Sequence, residues 1–158
     1  MTGWTEITDA IGVALAGERV RGRALLEEAW DGTCADDGAR RTVIAHYLAD
    51  VQDRVEDEVA WDERALAAFA GVGDDDLAPV GIASARAMAP SLHLNLGDGY
   101  LRQQRVEEAA RHLALALESL DALPADGYGD LVRRGVRRLG ERVEAAAAHD
   151  SSRDSAAP

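Results

Sequence analysis

The side chains able to do directed chemistry are few, and helical spacing gathers some of them. Asn95, Asp98 and Arg102 follow one another at three and four residues, which places an amide, a carboxylate and a guanidinium on one helix face. His46 and Asp50, four residues apart, form a second polar pair on an earlier segment. Such a set can hold a polar ligand through hydrogen bonds and ion pairs. The same spacing also describes ordinary pairing on a solvated face.

Other chemistries lack their residues. His46, His93, His112 and His149 show neither His-x-x-x-His nor His-Glu-x-x-His spacing, so no metal site is expected. Asp74-Asp75-Asp76 lacks the alternation and the later Glu of a calcium loop, and reads as a solvated turn in which Asp76 caps a helix. Cys34 is the single cysteine, with no neighbour to activate it and no disulfide partner in the chain. All 17 basic residues are Arg, which excludes a Schiff-base or phosphate-loop lysine. Gly-x-Ser-x-Gly, the Walker pattern and Gly-x-Gly-x-x-Gly are all missing. No catalytic residue, no metal and no cofactor is expected.

The net charge of −12 argues against nucleic acid and against anionic membranes as partners. Charge is unevenly placed: residues 126–148 carry five Arg against four acids, whereas residues 1–125 carry eleven Arg against 23 acids. The basic patch is Arg133, Arg134, Arg137 and Arg138, and it points to pairing within the chain or to a homo-oligomer. The absence of Lys and the single Asn match the codon bias of a GC-rich bacterial genome. With one cysteine, no signal-peptide pattern and no long apolar run, a cytoplasmic protein is expected.

The elements that must position these residues are helices. Hydrophobic residues make up 47% of the chain and aromatics 4%, so Ala and Leu carry the apolar content and favour helix over strand. Periodicity predicts helices over about 7–15, 19–30, 40–52, 55–69, 90–103, 106–120 and 127–148. A Gly- and Asp-rich loop is predicted over 71–81, followed by a short separate helix over 82–88 and then a helix opened by Pro90. The last helix carries Val132, Val136, Leu139 and Val143 as one apolar stripe. Residues 1–148 are read as one helical domain and 149–158 as a disordered tail.

One helix pair has a specific pattern. His93-x-x-Leu96-Gly97-x-x-Tyr100, followed by Ala109, Leu113 and Ala116, resembles a unit of the tetratricopeptide-repeat (TPR) family, with His93 in the Trp slot and Leu113 in the Phe slot. A first unit is fainter: Gly17 marks its turn and Gly22 its small slot, before Leu26, Ala29 and Trp30. In a second, Arg54-Val55-Glu56 echoes Arg105-Val106-Glu107, but Glu58 and Asp62 stand in the small and aromatic slots.

The resemblance implies an all-α, TPR-like α-α superhelix of about three antiparallel helix pairs with a C-terminal capping helix. It implies a non-enzymatic scaffold that binds a protein or peptide in a concave groove. Asn95 precedes Leu96-Gly97, the slot where peptide-binding members place an Asn against the ligand backbone. Asp98, Arg102, His46 and Asp50 would complete that groove. The alternative is a small-molecule sensor or enzyme accessory subunit with its ligand in the same groove.

Overall fold

Helix-forming residues at helical spacing set the secondary structure, and the computed structural model describes residues 1–155 of it. The helices are α1 (Trp4–Leu15), α2 (Arg19–Asp31), α3 (Gly38–Asp50), α4 (Val55–Phe69), α5 (Ala85–Arg102), α6 (Val106–Glu118) and α7 (Gly127–Asp154). Short 3-10 segments cover Asp74–Val80 and Leu120–Ala122. The described residues contain no strand, so the class is all-α. None of their helices is long and apolar enough to cross a membrane. The chain divides into two compact units, the first ending at Arg86 and the second starting at Ala87.

In the first unit, α1 packs along α2 and α3 along α4, and each pair is joined by a short turn. The α1–α2 crossing depends on Gly22. A Cβ at that position would sit 2.6 Å from the Cα of Ala14 and 2.9 Å from its nitrogen, so the helices meet backbone to backbone. Ile7, Leu26, Ile44 and Leu48 are fully buried around these pairs. Asp37 caps α3, its carboxylate accepting from the Arg40 N–H at 3.3 Å.

The other end of α3 is satisfied from a neighbouring helix. Arg19 of α2 donates to the carbonyls of Asp50 (3.0 Å) and Gln52 (2.9 Å). Arg23, one turn on, donates through Nε to the Val51 carbonyl at 3.0 Å and through Nη2 to Asp53 at 2.9 Å. Two guanidinium groups thus close the last turn of α3, whose carbonyls have no partner inside the helix.

A stack of rings and guanidiniums runs across the same unit. The indoles of Trp30 and Trp61 meet edge to face at 5.1 Å. Arg41 lies 3.7 Å over Trp30, and Arg64 lies 4.3 Å over Trp61.

The predicted loop over 71–81 contains 3-10 helix, and Asp76 caps it from its third position. Asp76 reaches back to the Gly73 N–H (2.8 Å), while Asp74 accepts from the Ala85 N–H (2.9 Å) at the start of α5. The short helix expected over 82–88 and the helix expected from Pro90 are a single helix, α5. Pro90 lies in its second turn, where the missing N–H costs one intrahelical bond. Burial of Ala87, Met88, Pro90 and Leu92 outweighs that loss.

In the second unit, α5 turns into α6 through Gln104, whose φ of 63° is left-handed. Gly17, at the α1–α2 turn, has φ 91°. Each is followed five residues later by the small residue of its helix crossing, Gly22 in the first pair and Ala109 in the α5–α6 pair. A Cβ on Gly97 would lie 3.5 Å from the carbonyl oxygen of Ala109 and 2.6 Å from Cδ2 of Leu139, so α6 and α7 both close over that glycine.

Helix α7 is capped by Asp126, which accepts from the Gly129 N–H at 2.9 Å. Its predicted stripe, Val132, Val136, Leu139 and Val143, is buried. Val132 and Val136 join Ala116 and Leu123 in a core cluster packed by Leu94, Leu113 and Leu120. The helix continues past the expected end at 148 to Asp154. Ala145 to Ala148 are strong helix formers, and Ser151 and Ser152 bond back to the carbonyls of Ala147 and Ala148 instead of breaking the turn. The last part of the segment expected to be disordered, 156–158, lies outside the described residues.

Two substitutions check the α1–α2 crossing by thermal or denaturant unfolding. Gly22→Ala drives a methyl into the Ala14 backbone and should cost about 1–3 kcal/mol. Gly12→Ala, where nothing lies within 4 Å, should be neutral or stabilise by up to about 1 kcal/mol. Equal effects would mean that the crossing is not tight. The arginine clasp is checked by Arg23→Met, which keeps an apolar stem but no donor. A loss of about 1–3 kcal/mol is expected, the scale of charge-assisted bonds left unmade.

Candidate functional site

The residues singled out by spacing fall on two helices, one in each unit. In the first, His46 and Asp50 lie on α3. His46 is half-buried, its ring 5.6 Å from that of Tyr47, and burial pushes its imidazole down to about 4. At neutral pH it is therefore a neutral hydrogen-bonding group and not a cation.

Asp50 is the last residue of α3. Part of it meets solvent, yet the packing behind its carboxyl raises the group to about 6. The negative charge of Glu58 on α4 adds to the rise, and Arg19 opposes it. Asp53, on the adjoining turn, is held below the usual carboxylate range by its hydrogen bond from Arg23.

Glu58 and Asp62 extend this polar set along α4, and Asp62 is only 1% exposed. Glu58 acts on Asp50. In an antiparallel hairpin, one turn further along α4 is one turn back along α3, which sets Asp62 level with His46. Neither acid was among the expected site residues. Their signal was present in the sequence, as two carboxylates where the TPR resemblance expects a small and an aromatic residue.

In the second unit, Asn95, Asp98 and Arg102 lie on α5, with Asn95 half-buried. Arg102 Nε donates to Asp98 Oδ2 at 2.8 Å. The other oxygen, Oδ1, accepts from Arg142, which reaches across from α7. Asp98 is thus clamped between two guanidiniums, and the face it occupies presents cationic groups around one neutralised carboxylate. Arg142 was invisible to spacing arguments because it lies 44 residues away from Asp98.

Also on α5, His93 meets His112 of α6, with their Nδ1 atoms 3.0 Å apart. One ring must carry its proton on Nδ1 and the other must accept, so the pair fixes complementary tautomers. Burial lowers His93, and the negative charge of Glu118 works the other way. The Tyr100 ring is tilted against that of His112, with centroids 5.3 Å apart, and Arg105 lies over it at 4.2 Å.

These groups can hydrogen-bond and pair charges. Among the described residues, no three His, Cys, Asp or Glu gather as metal ligands. An open cleft of about 420 Å3 lies elsewhere, at the start of α3, lined by Asp36, Asp37, Gly38, Ala68 and Asp76 among others. None of the expected site residues lines it. Comparison with family models, with curated proteins and with solved structures found no match.

Burial favours the neutral form of both groups on α3, with opposite consequences for stability. His46, at about 4 against an ordinary 6.5, contributes stability above pH 6.5 that is lost as pH falls toward 4. Asp50, at about 6 against 3.8, contributes stability below pH 3.8 that is lost as pH rises through 6. Between those limits the two oppose each other. Asp50→Asn removes the second contribution, so its melting temperature should fall more steeply than that of the wild type on acidification from pH 6.5 to 4. Parallel slopes would show that the Asp50 carboxyl is not held neutral.

Proposed function

We propose that this chain is a TPR-like, non-enzymatic binding module that holds a protein or peptide segment against the polar face of α5. The observation that carries the reading is the shared construction of two helix pairs. In each, a left-handed turn residue, Gly17 or Gln104, precedes by five residues the small residue at the helix crossing. That is the local geometry a helix-pair repeat requires, and it supports the family resemblance independently of the His93-to-Tyr100 pattern. In a repeat of this type the face of Asn95 lines the concave side. Asn95 then hydrogen-bonds the ligand backbone, and Arg102 and Arg142 beside it favour an acidic segment.

A second reading, a small polar metabolite as the ligand, is favoured by one feature. The neutral His46, with Asp50, Glu58 and the buried Asp62, forms a polar lining on the α3–α4 pair suited to hydrogen bonding a compact molecule.

The test is affinity capture from the native cell with the wild type and with Asn95→Ala as baits, read by mass spectrometry of proteins and of released small molecules. A protein retained in stoichiometric amount by the wild type should bind the variant more weakly by about 1–3 kcal/mol, with little change in melting temperature. A bound metabolite would instead favour the second reading. A large fall in melting temperature with unchanged affinity would make Asn95 structural and remove the α5 face from the site.

A further inference from the structure

Two outward helix faces carry charge that no ion pair among the described residues neutralises. On α2, Val20, Ala24, Glu27 and Asp31 lie within one narrow stripe by helical spacing, with Glu28 at its edge. All are exposed, Val20 at 84%. Among the described residues Glu27, Glu28 and Asp31 make no ion pair, and they crowd the last turn of α2, where the helix dipole is itself negative. That end of the helix is electrostatically unfavourable until a cation meets it.

On α7 the pattern is the reverse in sign. Leu131 (61% exposed), Arg134 and Arg138 align on the outward face, flanked by Arg137 and by Tyr128. Arg133 is not part of this face's free charge. It donates to the carbonyls of Leu123 (2.8 Å) and Pro124 (3.2 Å) and pairs with Asp130. Among the described residues Arg134, Arg137 and Arg138 have no carboxylate partner, and Glu141 is the one acid left beside them.

The two stripes also match in order. Val20 precedes Glu27 by seven residues, and Leu131 precedes Arg138 by seven, about 10 Å along either helix. Laid parallel, the faces set Val20 on Leu131 and Glu27 beside Arg138. Laid antiparallel, they set each apolar residue against charge.

We propose that these faces bind one another between copies of the chain, α2 of one copy along α7 of the next. In this proposal each neighbouring pair makes the contact once, α2 against α7, so that it is heterologous and propagates head to tail. The net charge of −12 on each copy opposes assembly at very low salt. Near 0.1 M salt, repulsion beyond about 10 Å is screened while contacting pairs are not.

The experiment is sedimentation velocity on the full chain at about 0.1 M and about 0.5 M salt. The wild type should show a mass that rises with concentration past the dimer at the lower salt and returns toward monomer at the higher. Val20→Ser with Glu27→Gln, and separately Arg134→Glu with Arg138→Glu, should each weaken association at least about tenfold, since either pair of changes removes one half of the contact. Circular dichroism melts should be unchanged, because these side chains are exposed. Mixed in equal amounts, the two variants retain one intact face each, and should form a heterodimer that grows no further. A wild type that stays monomeric throughout, or variants that associate as the wild type does, would overturn the proposal, the former leaving the α7 arginines to a different acidic partner. A mixture that assembles past the dimer would overturn the head-to-tail geometry.

Discussion

Helices α1 and α2 touch along their backbones because residue 22 has no side chain, and the rest of the first unit is built outward from contacts of that kind. With aromatics at 4% of the chain, few large side chains are available to fill space between helices held at ordinary distance. Interiors must nevertheless reach close packing. The chain solves this with small residues that bring helices together: Gly22, Gly97 under Leu139, Ala109, and Gly135, where an added Cβ would lie 2.6 Å from Leu94. Each shortens the distance that Leu, Ile and Val must bridge. The same choice makes the fold sensitive to single methyl groups at these positions and tolerant of them at Gly12.

Much of this was legible in the sequence because it is periodic. The bounds of α4 coincide with those read from its apolar stripe, and the valine and leucine stripe of α7 is buried as its spacing required. The misreadings share a cause. Pro90 has a strong local preference to open a helix, and burial of its neighbours overrode that preference by extending α5 backward to Ala85. Asp74 caps α5 from eleven residues away, beyond the window in which capping patterns are read. The polar face on α5 was visible as Asn95, Asp98 and Arg102, but the Arg142 that completes it arrives from another helix, and no spacing rule relates α5 to α7.

Arginine does structural work here that is usually left to the backbone. Arg19 and Arg23 end α3, Arg133 fastens the approach to α7, and Arg102 with Arg142 encloses Asp98. A planar fork can satisfy two acceptors at once, which suits carbonyls at a helix end better than a lysine point charge. In a chain with 17 arginines and no lysine, the function of a given guanidinium therefore depends on whether a carbonyl or carboxylate of the chain already occupies it. Arg133 and Arg134 are neighbours in sequence, yet the first is committed inside the molecule and the second faces outward.

The edge-to-face pair Trp30 and Trp61, with Trp4 under Arg40, accounts for every tryptophan in the chain, and all three precede residue 87. Indole emission is consequently a reporter of the first unit alone, while the far-ultraviolet helix signal sums both. Unfolding followed by the two optical probes yields one midpoint if the units melt as a single cooperative body and two if they do not. The placement of three rings gives the molecule a built-in means of measuring whether its halves depend on each other.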